Sequence, residues 1–128
     1  MKVVYNKFIP FPGFFAINLF GVMFVREEYK RWNISERTYN HESIHTEQML
    51  DFVGGIKQLQ FLGGCIFYIL YFIEWLLKLV CTIFTFGTIK AYKSISFEQE
   101  AYNNDTNYIY LKSRKRFAWI KNIFKFVK

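Results

Sequence analysis

Residues 61–86 read FLGGCIFYILYFIEWLLKLVCTIFTF, an apolar run broken by only two charges, Glu74 and Lys78. About 20 residues of apolar helix cross a bilayer, so this segment must span a membrane, lie against one, or be wrapped by protein. The rest of the chain offers little wrapping. Its 128 residues make one domain, 1–128. A composition 52% hydrophobic and 22% aromatic excludes disorder. It also carries more apolar surface than so small a soluble monomer readily hides. Glu74 and Lys78 stand four residues apart, close enough on a helix to pair and lower each other's cost in an apolar setting. Two cysteines, Cys65 and Cys81, are too few for a disulfide scaffold and read as buried thiols.

The net charge of +7 has a location. Lys112, Arg114, Lys115, Arg116, Lys121, Lys125 and Lys128 fall in the last 17 residues, which contain no acid. The remaining ten basic residues balance ten acids, so the body is neutral. With Phe117, Trp119, Ile120, Ile123 and Phe124 between the cations, residues 112–128 read as a basic amphipathic C-terminal helix. Such a helix suits an anionic membrane surface on the cytoplasmic side. An ordinary packed terminal helix with solvated lysines is the plainer reading. Nucleic acid is not expected as a partner, because no reading motif accompanies the charge.

Elsewhere the pattern is mixed. Residues 8–25 are apolar but punctuated by Pro10, Pro12, Gly13 and Gly21; no small-residue cleavage site follows, so they read as structure and not as a removable signal. Phe14–Val25 carries the strand signal. Ser35 is placed to cap a helix from Glu36 to about Phe52, closed near Gly54 and Gly55. Residues 87–95 read as a loop, followed by a helix from Ser96 to Ser113. The expected fold class is α+β and mainly helical: a short N-terminal strand pair, then about four helices.

Both histidines of the chain fall in His41-Glu42-Ser43-Ile44-His45. Four residues are just over one helical turn, so both imidazoles project from one face and can share a metal. Glu42, beside the first, has a carboxylate positioned to take a proton from water at that metal without being a ligand. A catalytic zinc site needs a third protein ligand. Asp51 lies ten residues after His41, the metzincin spacing, but Gln48 occupies the position of the glycine that turns the chain there. On a continuing helix Asp51 sits about 9 Å beyond His45 and about 240° around the axis, and misses the metal. The other source of a carboxylate is Phe97-Glu98-Gln99-Glu100-Ala101-Tyr102.

His41-Glu42-x-x-His45 followed by Glu98-x-x-Ala101 resembles the gluzincin peptidases, especially the membrane-bound CAAX-prenyl-endopeptidase and heat-shock-peptidase families. It is also similar to small bacterial proteins that share the two motifs around a short hydrophobic core. The resemblance covers some 20 residues. It implies Zn2+ held by His41, His45 and Glu98, with Glu100 as the fallback ligand, Glu42 as the catalytic base, and Ala101 letting two helices approach. It implies a minimal gluzincin-like fold in which an edge strand pairs with an extended substrate. Tyr102 departs from the pattern, since the family has an aspartate there that orients a ligand histidine; Asp105, on the same helical face as Glu98, is the candidate substitute. No oxyanion-stabilising residue stands out; Tyr39, Tyr102 and Tyr108 are candidates.

The motifs constrain topology. One transmembrane helix over 61–86 would put the histidines and Glu98 on opposite sides of the bilayer. The expectation is therefore membrane association without spanning, peripheral or partly embedded. The expected activity is a zinc-dependent metallopeptidase hydrolysing a peptide or protein substrate near a membrane surface. The alternative is a non-catalytic zinc-binding or membrane-associated structural or interaction protein. A homo-oligomer stays open.

Overall fold

The computed structural model describes residues 1–128, and its fold is α+β and mainly helical. Three strands form one sheet: β1 (Lys2–Asn6), β2 (Ala16–Leu19) and β3 (Val22–Arg26). Their order is β1-β3-β2, with β3 parallel to β1 and antiparallel to β2. The expected strand pair is the β2–β3 hairpin. Phe20 and Gly21 form its two-residue turn with φ of 53° and 82°, a conformation in which both central residues are left-handed. A side chain at Gly21 would strike the Gln60 amide. The parallel partner β1 was not foreseen, because five residues without a turn signal leave no local mark.

Helix α1 spans Glu36–Asp51, and the Ser35 hydroxyl accepts from the Thr38 amide at 3.1 Å as a cap should. It ends where Gly55 N–H reaches back to the Leu50 carbonyl at 2.9 Å, with Gly54 and Gly55 both at positive φ. His41, Ile44, His45, Gln48 and Met49 form its buried stripe at helical spacing. Helix α2 (Gln60–Phe84) contains most of the apolar run. It approaches α1 closely through Gly63, where a Cβ would stand 2.2 Å from the Met49 carbonyl oxygen. The core joins Met49, Phe67, Ile95, Phe97 and Trp119.

The segment expected as a loop contains a single turn, α3 (Ala91–Ser94), so Glu98 falls on the fourth helix, α4 (Ser96–Asn104), and not the third. The expected helix from Ser96 to Ser113 is broken after Asn104 and resumes only as α5 (Tyr110–Ser113). Asn40 explains the break: its Nδ2 donates to the carbonyls of Asn104, Asp105 and Asn107 at 3.2, 2.9 and 3.3 Å. The Asn104 carbonyl also accepts the Asn107 amide at 2.9 Å, so the helix closes in an i+3 turn whose outer carbonyls face that side chain of α1.

The basic terminal helix over 112–128 is not formed. Phe117 is left-handed at φ 59° and only a 3-10 turn, Ala118–Asn122, follows. Trp119 is built into the core and Asn122 is buried. Arg114 turns inward to Asp51 and Glu100. Arg114 and Trp119, five residues apart, would stand about 140° apart on a helix, so one continuous helix could not turn both inward.

Candidate metal centre

Helices α1 and α4 bring three buried ligating groups together. His41 Nε2 and His45 Nε2 are 3.2 Å apart. Glu98 Oε2 stands 3.3 Å from the first and Glu98 Oε1 3.3 Å from the second. One ligand atom from each of the three residues lies within 4.8 Å of the others, so the group could hold a metal ion. Nitrogen and oxygen ligands at 2.0–2.1 Å from a tetrahedral cation are separated from each other by about 3.3–3.4 Å. The two nitrogens are about that far apart, and each stands as far from its own oxygen of the Glu98 carboxylate. Glu98 is 3% exposed, and its Oε2 has no hydrogen-bond partner. An ionised oxygen orphaned in the interior is costly, and a cation would satisfy it.

Burial alone would raise the Glu98 pKa, but His45 and His41 hold its carboxyl well below the usual range. Burial alone would lower that of His45; the Glu98 carboxylate outweighs it, raising the imidazole to about 9. Without a metal, a proton held on His45 therefore balances the charge of the ionised Glu98 carboxylate. Glu42 carries a pKa raised by burial, against the opposing pull of the two imidazoles.

The surrounding groups orient the ligands. Tyr71 on α2 donates to Glu98 Oε1 at 2.7 Å. Gln48 Oε1 lies 2.8 Å from His45 Nδ1. Asp105 Oδ2 lies 3.6 Å from His41 Nδ1 and 3.0 Å from Arg37 Nε. Asp105 thus stands behind a ligand histidine, while Tyr102 packs its ring against His41 at 4.7 Å between centroids. Asp51 is no part of the group. It forms a bidentate pair with Arg114 at 2.9 and 2.8 Å, and Glu100 is likewise held by Arg114 and Tyr110.

A cavity of about 410 Å³ opens beside the site, reached by Glu42, His45 and Glu98 and walled by apolar groups such as Phe14, Ile17 and Phe67. A smaller one of about 270 Å³ lies on the His41 side. Tyr92 lines both, and the sequence reading missed it because it falls in the stretch expected as a loop. Of the expected tyrosines, Tyr102 lines the smaller cavity, Tyr39 accepts from the chain's terminal amine, and Tyr108 is exposed. Compared with known protein families, curated proteins and solved structures, the chain gives no match.

Proposed function

We propose that the protein is a zinc-dependent metallopeptidase acting at a membrane surface. The observation that carries the reading is the convergence of His41, His45 and Glu98 beside a cavity that Glu42 also lines. Zinc bound there would supply Lewis acidity toward a scissile carbonyl and toward water. Glu42 supplies the base: its raised pKa suits a carboxylate that accepts a proton and then returns it to a leaving amine. Strand β2, at the sheet edge, contributes Ala16, Ile17 and Asn18 to the cavity wall, which suits an extended peptide adding to that edge.

The test has two arms. Wild-type protein should bind one zinc, removed by His45→Ala. The variant Glu42→Gln should keep its zinc and lose hydrolysis of a quenched-fluorescent peptide library. Absence of zinc binding, or undiminished hydrolysis by Glu42→Gln, refutes the reading.

The membrane half rests on α2. Its only charges, Glu74 and Lys78, face the protein and pair at 3.2 Å. Phe61, Ile69, Phe72, Leu77 and Ile83 are exposed on the other side of a helix about 37 Å long. The domain packs on α2 along that length, from Gly63 against α1 to Lys78 against the tail. A helix covered along one whole face and bare along the other suits the plane of an interface better than a crossing. Cys65 and Cys81 are free on α2, about 24 Å apart along its axis, and allow a depth measurement. Fluorophores on each, quenched by nitroxide lipids in phosphatidylcholine–phosphatidylglycerol vesicles, should lie within about 10 Å of one depth, a helix diameter. Depths separated by the full axial distance would show a span.

A further inference from the structure

Behind His45 lies a buried relay with no place in the chemistry above. Gln48 is fully buried, Glu100 is 1% exposed, and the Arg114 side chain is 5% exposed. Gln48 Nε2 donates to the Phe97 carbonyl at 3.0 Å and to Glu100 Oε2 at 3.0 Å. A primary amide has two N–H groups, and both are used. Turning the amide over would set its oxygen against a carbonyl and a carboxylate, three acceptors with no proton between them. The amide orientation is therefore fixed by its partners. Its oxygen then faces His45 Nδ1 at 2.8 Å and can only accept, so Nδ1 must carry a proton.

The orientation depends on the Glu100 side chain staying in place. Arg114 holds it there, donating from Nε to Glu100 Oε1 at 2.6 Å and from Nη2 to Oε2 at 3.1 Å. Its fork is anchored in turn by the two bonds to Asp51, and Tyr110 adds a bond to Glu100 at 2.9 Å. Arginine suits this place because its planar fork can bind two carboxylates at once.

We propose that Arg114 is a positioning residue for the metal centre: through Glu100 and Gln48 it holds His45 with Nδ1 protonated and Nε2 turned toward His41 and Glu98. The proposal rests on the metal reading above for its purpose but not for its geometry. It also gives a role to the residue that excluded the metzincin pattern, since Gln48 stands where that pattern has glycine.

Histidine-selective 15N–1H NMR on the full chain tests it. In chelator-treated protein, His45 should show a slowly exchanging Nδ1 proton, and in zinc-loaded protein the same proton should persist with Nε2 as the ligating nitrogen. Gln48→Leu should lose that slow proton and weaken zinc binding by about 10–100-fold, the range for groups behind a metal ligand. Arg114→Gln and Glu100→Gln should speed exchange of the same proton while leaving the His41 resonances in place. Where Arg114→Gln does not fold, Glu100→Gln and the wild-type spectrum still decide. A wild-type His45 with a bare Nδ1, or variants with unchanged His45 exchange and zinc affinity, would overturn the proposal. A protonated Nδ1 in a protein that binds no zinc would leave the relay standing and remove the metal reading instead.

Discussion

Raising the pH from 7 to 9 should strengthen zinc binding and weaken the metal-free fold, through one proton. Burial would lower the His45 pKa, but the Glu98 carboxylate raises it to about 9, from an ordinary value of 6.5. A cation ligated by Nε2 must displace that proton. Between pH 9 and pH 7 the neutral fraction of His45 falls about 50-fold, so zinc affinity should weaken by about the same factor, on the order of 2 kcal/mol. The stability of the metal-free protein has the opposite sign. A group whose folded pKa is raised contributes fully below its unfolded pKa of 6.5, and that contribution is lost as pH rises through about 9. The depressed Glu98 pKa reflects the same contact and is counted once. Competition against a chromophoric chelator from pH 7 to 9 measures the affinity. Isothermal titration in buffers of different ionisation enthalpy should find about one proton released per zinc at pH 7. Thermal unfolding should show the chelator-treated protein losing stability over this range while the zinc-saturated protein, whose His45 holds no displaceable proton, changes little. A zinc affinity equal at pH 7 and pH 9, with no proton released, would refute the argument.

Further outcomes follow from named contacts. Glu98→Ala should abolish tight zinc binding, whereas Asp51→Ala should retain the three ligands but lose about 3–5 kcal/mol of stability by leaving Arg114 with one buried partner fewer, read as a lower denaturant midpoint. Gly63→Ala forces a Cβ to 2.2 Å from a backbone oxygen and should lower stability by about 1–3 kcal/mol; an unchanged Tm would mean that α1 and α2 are not so close. Trp119→Ala should cost about 3–5 kcal/mol by emptying a core site, and deletion of residues 112–128 should unfold the chain, so vesicle binding by the tail is better probed with Lys121, Lys125 and Lys128 changed to Gln, compared with wild type by flotation at low and high salt.

Legibility in the sequence tracked how local each determinant is. The Ser35 cap, the stripe of α1 and the glycines that close it are read within a few residues, and His41 and His45 share a face by helical geometry alone. Glu98 was reached only through a resemblance, because 53 residues separate it from His45 and no period connects them. The tail misled because its alternation of cations and apolar residues fits a helix, while the side chains that decide its path, Arg114 and Trp119, answer to Asp51, Glu100 and Phe97 far away in sequence. Asn40 is similar: a single amide in α1 stops α4, and no window centred on α4 contains it.

One signal inside the apolar run was readable and ties the site to the bare face of α2. Tyr68, Tyr71, Glu74, Lys78 and Thr82 recur at steps of three and four, so the hydrogen-bonding side chains of that stretch lie along one stripe. Each reaches a different part of the domain. Tyr68 donates to the Asn18 carbonyl of β2, and Tyr71 to Glu98. Glu74 accepts from the amide and hydroxyl of Ser96 at 2.8 and 2.6 Å, at the start of α4. Lys78 donates to the carbonyls of Ser94 and Lys125, and Thr82 to that of Ile89. Helix α2 therefore sets the position of α4, and with it Glu98, by polar contacts that an apolar surrounding strengthens. Turning every such group inward also removes every charge from its outer face. The same five residues that support Glu98 leave behind a surface that water does not favour. Seating that surface in lipid would exclude competing water from the stripe behind it, so membrane contact and ligand placement would reinforce each other through one helix.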